Sequence, residues 1–330
     1  MVGQKIAGGS LSLNLRIQNF GFNAMIKLQN LGVICHGCLA ADCILINLMK
    51  GNTLKLFTFL LALLSFNVQS QETIKIVWPY AVGQPWMNIR TIADNANSQQ
   101  KKYTFALEMK QGAGGAIAAQ FVLNNPNNTL ISNSNTQIIR PLTTADGAYD
   151  LDSFVPVLIQ AVDVPVVMVS KKYQSMAELL AKPNLNIGIS AAKGITDYAA
   201  RMMATKDDTQ YVAFKTGFTE QIASLMGGHI DGAVVTLDSS KRFIDDGSVF
   251  RLADSPLTVN WAMYASSKMD AERMREIHII LTAASNQDNV RKILVDANPK
   301  YVYLNMAQLR DWYTTERNKW SKIVAQYPIK

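Results

Sequence analysis

Few residues of this 330-residue chain are placed for covalent chemistry. Cys35-His36-Gly37-Cys38 has the spacing of a metal or redox pair, but no second pair follows, and no His succeeds Cys38 as haem attachment needs. Asp42 interrupts the Leu-Ala-Ala-Cys order of a lipoprotein box before Cys43. His229 lies between Gly228 and Ile230, and His278 lies in the apolar helix stretch 277–281, so both read as structural. There is no His-x-x-x-His pair and no Gly-x-Ser-x-Gly elbow. Gly112-Ala113-Gly114-Gly115-Ala116-Ile117 begins like a dinucleotide loop but places Ile117 where a small residue is required. Lys193-Gly194 reverses the order of a phosphate loop. The expectation is a protein with no catalytic set, no metal and no cofactor.

The chain is better supplied with small-residue turns: Ala81-Val82-Gly83, 112–116 and 190–196. The first N–H groups of a helix lack intrahelical partners, and the helix start carries partial positive charge. Small residues let a ligand approach that backbone, giving an anion site without arginine or lysine. Two such turns facing each other would clamp a carboxylate.

The elements that must hold these turns alternate. Strands are expected at 73–78, 104–109, 129–131, 162–169, 185–189, 211–214, 230–235 and near 261–265. Between them fall helices opened by Pro85, at 117–123, after a capping box Ser175-Met176-Ala177-Glu178, after a Thr196 or Asp197 cap, at 219–226 before Gly227-Gly228, and at 238–244. Helices at 270–284 and 287–297 and one through Trp312 and Trp320 complete the chain. The polar stretch 132–137 reads as a loop. Unbroken apolar runs such as 162–169 mark buried parallel strands. The alternation predicts an α/β fold of mainly parallel sheets flanked by helices.

Residues 49–70 read as a secretory signal: Lys50 and Lys55, then the apolar run 56–66, then Val68 and Ser70 at a cleavage site. Met49 is then the expected start, and 1–48 a mis-assigned or disordered leader. The mature chain would hold none of the three cysteines, so no disulfide, and would carry 27 basic against 24 acidic residues, a net +3. That excess is scattered, with no basic stripe for nucleic acid. No apolar run reaches the ~20 residues of a membrane span. With 48% hydrophobic residues the chain can bury a core.

Six motifs in order make residues 71–330 resemble the Bug or TctC-like extracytoplasmic solute receptors of tripartite tricarboxylate transporters. They are Pro79-Tyr80-Ala81-Val82-Gly83-Gln84-Pro85-Trp86-Met87; Met109-Lys110-Gln111-Gly112-Ala113-Gly114-Gly115-Ala116-Ile117-Ala118; Pro126-Asn127-Asn128-Thr129-Leu130-Ile131; Ser153-Phe154-Val155-Pro156-Val157; the 186–196 strand and loop; and Phe214-Lys215-Thr216-Gly217 with Leu225-Met226-Gly227-Gly228-His229-Ile230-Asp231. The resemblance implies a two-lobed type II periplasmic-binding-protein fold, with 71–168 and 255–330 as lobe 1 and 169–254 as lobe 2. It implies a monomeric periplasmic receptor that closes on a small organic carboxylate and serves membrane transporter subunits or a sensor. An α/β enzyme using the same cleft, or a degenerate receptor with an interaction role, is the alternative. Carried onto this chain, the ligand residues are Tyr80, Ala81, Val82, Gly83, Gln84 and Trp86 from the first loop and Ser134, Asn135 and Thr136 from the floor. Ser190, Ala191, Gly194, Ile195, Thr196 and Asp238 come from the second lobe. Gln84 replaces the family's second loop Gly, and Met87 falls near its Asp, so the carboxylate grip is expected in modified form and the ligand is left open, a more apolar or aromatic one included.

Overall fold

The computed structural model describes residues 11–14, 25–28, 71–144, 148–204, 206–214, 217–297 and 302–329. Met1–Gln69 and Ser70–Lys330 are separate compact units. In the first, β1 (Leu11–Asn14) and β2 (Met25–Leu28) pair antiparallel, a short ladder that the sequence reading did not anticipate. The signal segment and the cysteines lie outside the described residues.

The second unit is built on one eight-stranded sheet of order β4-β3-β5-β10-β6-β9-β7-β8. β3 (Glu72–Trp78), β4 (Tyr103–Met109) and β5 (Thr129–Asn133) form one parallel wing. β7 (Asn186–Ile189), β8 (Gln210–Ala213) and β9 (Gly232–Thr236) form a second. Two 17-residue strands, β6 (Phe154–Ser170) and β10 (Phe250–Ser266), lie between the wings and pair antiparallel with each other and with the flanking strands. The wings are therefore parallel, as expected, and the centre is not.

β6 begins eight residues before the expected strand, running through Pro156 ahead of it as well as Pro165 within it. Proline donates no ladder hydrogen bond and normally signals a strand end. Here the β6–β10 ladder absorbs such breaks through register shifts, one of them between Asp254 and Thr258 opposite Val167 and Pro165. Asp163 takes a φ of 51°, and its N–H donates to Asn260 Oδ1 at 2.8 Å.

Helices cover the sheet. α1 (Gln84–Gln99) starts with Pro85 in its first turn; α2 (Ala116–Asn124) follows the glycine turn; α3 (Thr136–Thr143) occupies part of the stretch read as loop. α4 (Met176–Ala181) is capped by Ser175, which accepts the Glu178 N–H, as the capping box predicts. α5 (Ile195–Met203), α6 (Phe218–Met226) and α7 (Leu237–Asp245) serve the second wing. α8 (Ala271–Ser285), α9 (Asp288–Ala297) and α10 (Met306–Gln326) complete the described chain. A large core runs from Ile74 and Trp78 through Met263 to Trp320. A smaller one, with Val167, Ile222, Leu225 and Val235, lies under α6. His278 is buried, its Nδ1 2.8 Å from the Val157 carbonyl, which fits its structural reading.

Candidate ligand-binding site

A cleft with about 610 Å³ of empty space, part of it open to solvent, lies where the two wings meet the long strands. The turn after β3 supplies Tyr80, Ala81, Val82 and Gly83, and the turn after β5 supplies Ser134. Ser190, Ile195 and Thr196 come from the turn after β7, Gly217, Phe218, Thr219 and Gln221 from the start of α6, and Val234 to Thr236 and Ser239 from β9 and α7. Trp78, Val259 and Trp261 complete the wall. None of the described residues lining it carries a formal charge.

The first turn is held from below. Trp78 Nε1 donates to the Ala81 carbonyl at 2.9 Å, and the Tyr80 hydroxyl donates to Asn133 Oδ1 at 2.8 Å. Burial pushes the Tyr80 hydroxyl above the ordinary phenol value, against the pull of Ser134, Thr136 and the Arg140 guanidinium. Gly83 is the N-cap of α1, in extended backbone with no side-chain cap, and no acidic residue sits in that helix's first turn. Pro85 has no N–H, so this helix start offers those of Gln84 and Trp86, with no side-chain cap.

The second turn is organised differently. The sequence reading placed Thr196 or Asp197 at the helix cap, but Gly194 takes that position and both residues fall in the first turn. They reach back into the loop. Thr196 Oγ1 accepts the Ser190 N–H at 2.9 Å and lies 2.8 Å from Ser190 Oγ. Asp197, 1% exposed, accepts the Lys193 N–H at 2.8 Å and the Arg201 Nε–H at 2.7 Å. The loop closes because Lys193 adopts a φ of 56°.

The two sides touch. Thr219 Oγ1 donates to the Val82 carbonyl at 3.2 Å. A Cβ on Gly217 would sit 3.5 Å from Tyr80 Cδ1, and one on Gly194 would sit 3.6 Å from Thr136 Oγ1. Aromatic rings line the floor: Trp78 and Trp261 are 5.4 Å apart, and Tyr80 stands edge-on to both, at 5.3 and 6.2 Å.

Eight of the fifteen residues expected from sequence line the cleft: Tyr80, Ala81, Val82, Gly83, Ser134, Ser190, Ile195 and Thr196. The other seven are not among the lining residues. Gln84 bonds Asn88 one turn along α1, and Trp86 leans on Trp78 at 6.4 Å. Asn135 is buried as a strut between Glu316 Oε2 and the Asn260 N–H. Thr136 meets the Ser134 hydroxyl at 3.0 Å, and the Ala191 carbonyl accepts the Gly194 N–H at 3.3 Å. Asp238 accepts the Ser239 N–H at 2.7 Å, and burial pushes its carboxyl above the ordinary value. Trp78, Gln221, Phe218 and Trp261 were not singled out. Their apolar settings read as core, and only the tertiary approach of β10 and α6 makes them wall. Among the described residues no three His, Cys, Asp or Glu converge as a metal set.

This sheet order and this cleft define the periplasmic binding-protein fold. Solved structures similar to the chain include a periplasmic transporter, at 20% identity and TM-score 0.69, covering 79% of this chain and 99% of that one. MatC from Rhodopseudomonas palustris, solved with bound malate, has 18% identity and TM-score 0.67 over 77% of this chain and 99% of that one. R. palustris Rpa4515, solved with adipate, has 20% identity and TM-score 0.67 over 78% and 98%. BugD and a TctC solute-binding protein share the fold as well, so the architecture is that of Bug and TctC-like receptors. No family model and no curated protein matches the sequence.

Proposed function

We propose that the chain is a periplasmic solute receptor of the Bug and TctC kind. In this reading it takes a small organic carboxylate into the cleft and delivers it to membrane subunits of the tripartite tricarboxylate type. The observation that carries the reading is the convergence on one uncharged cleft of two helix starts, at Gly83 and at Gly194, neither with a side-chain cap. Aligned backbone N–H groups in a low-dielectric pocket favour one small anion without a cationic side chain. Residues 71–168 with 255–330, and residues 169–254, would act as two bodies hinged at β6 and β10. The register shifts opposite Pro165 are suited to absorbing that bend. In this reading the signal-like segment 49–70 directs the chain to the periplasm, where it works as a monomer that binds rather than catalyses.

The test is a thermal-shift screen against mono-, di- and tricarboxylates and aromatic acids. A ligand at a hundred times its Kd should stabilise by about 2.7 kcal/mol, a shift of several degrees at this size. Silence across the whole panel would overturn the reading.

A further inference from the structure

Gln221 lies near the start of α6, is fully buried and lines the cleft. Its Nε2 donates twice, to the carbonyl of Gly188 at 2.7 Å and to that of Val234 at 2.9 Å. Both partners can only accept, so the amide has one orientation: nitrogen toward the two carbonyls, Oε1 left over. No described residue donates to Oε1. Trp261 also lines the cleft, and its Nε1 is buried with no acceptor among the described residues. One unmet acceptor and one unmet donor thus sit on two side chains that line the same cleft, with the Trp78, Trp261 and Tyr80 rings. Buried polar groups are normally satisfied, and those left open in a binding cleft are the ones a ligand completes.

We propose that the occupant is a ring-bearing carboxylate that carries its own hydrogen-bond donor, a hydroxyl or N–H. Gln221 Oε1 accepts that donor, the Trp261 indole N–H finds an acceptor on the same ligand, and the aromatic floor packs on the ring. This rests on the carboxylate reading above and narrows it. A site with a fixed buried acceptor discriminates against analogues lacking the donor, because binding them leaves the acceptor dry and unpaired.

Calorimetry on the purified chain can decide. The probes are benzoate, the three hydroxybenzoates, the fluorobenzoate matched to each, malate and adipate. Fluorine is close to hydroxyl in size but donates nothing. We expect one hydroxybenzoate to bind at least about tenfold tighter than its fluoro counterpart, and tighter than either aliphatic diacid. Gln221→Met should bring that hydroxybenzoate down to the fluorobenzoate level. Equal binding of hydroxy and fluoro partners, or a gap that survives Gln221→Met, would overturn the proposal. If Gln221→Met does not fold, the matched pair on the unaltered chain decides alone. Binding of malate or adipate with no ring acid bound would sink this proposal and leave the carboxylate reading standing. No carboxylate binding at all would sink both.

Discussion

The two helix starts that meet at the cleft look alike in sequence and differ in electrostatics. Around Gly83 the loop is pinned by side chains that touch its carbonyls and ring, and the N–H groups of α1 face no acid in the first turn. Around Gly194 the loop is pinned by Thr196 and Asp197, which consume the Ser190 and Lys193 N–H groups. Asp197 also sets a buried negative charge against the positive end of α5. The first side has no acid in its first turn to offset its field. The second spends part of its field on holding its own loop. An anion should therefore lean on the first turn, while the second supplies shape and closure.

The sharpest way to break this comparison is steric. Gly194 has a φ of −94°, so a side chain is conformationally allowed, but its Cβ would sit 3.3 Å from the Ala191 carbonyl and near Thr136. Gly194→Val should leave the fold intact and weaken carboxylate binding by roughly 5- to 150-fold, the overpacking cost of about 1–3 kcal/mol, read by titration. Normal binding would mean that the second turn does not close on the ligand. Next comes Asp197→Asn. Losing a buried charged acceptor should cost about 2 kcal/mol in urea unfolding, while binding of the anion tightens because the helix start is no longer offset. Weaker binding by the folded variant would reverse the roles assigned to the two turns.

Thr196→Ala should cost about 1 kcal/mol of stability, one hydrogen bond, with a similar loss of affinity. The smallest effect is at Asp238, whose carboxyl burial holds above the ordinary value. The folded state binds that proton more tightly than the unfolded chain. Its contribution is therefore present below the unfolded value and lost as pH rises through the folded one. Asp238→Asn should gain in Tm over the wild type near neutral pH, and the gap should close in acid. A gap that widens in acid would place Asp238 among paired, ligand-facing carboxylates instead.

Much of the architecture was legible because it is local. The apolar runs of β3 and β9, Pro85 at the opening of α1, the Ser175 cap and the Gly227-Gly228 stop are decided within a few residues by dihedral preference and burial. So were the small-residue turns that place Ala81, Gly83, Ser190 and Ile195 on the cleft. Other features depended on distant partners. β6 keeps going through Pro156 because β10 lies beside it and its irregular register tolerates a missing donor. Asn135 looked like a ligand residue but spends its amide on Glu316 and Asn260, both more than a hundred positions away. Gln221 and Trp261 look like ordinary helix and strand residues until the fold brings α6 and β10 to one cavity and leaves each with a polar atom unmet. Sequence by itself determined the alternation of strands and helices and the turns with open backbone, since those follow from short-range geometry. The tertiary structure decided which of those turns spends its N–H groups on its own loop and which buried polar atoms go unpartnered, since hydrogen-bond satisfaction is a property of neighbours in space.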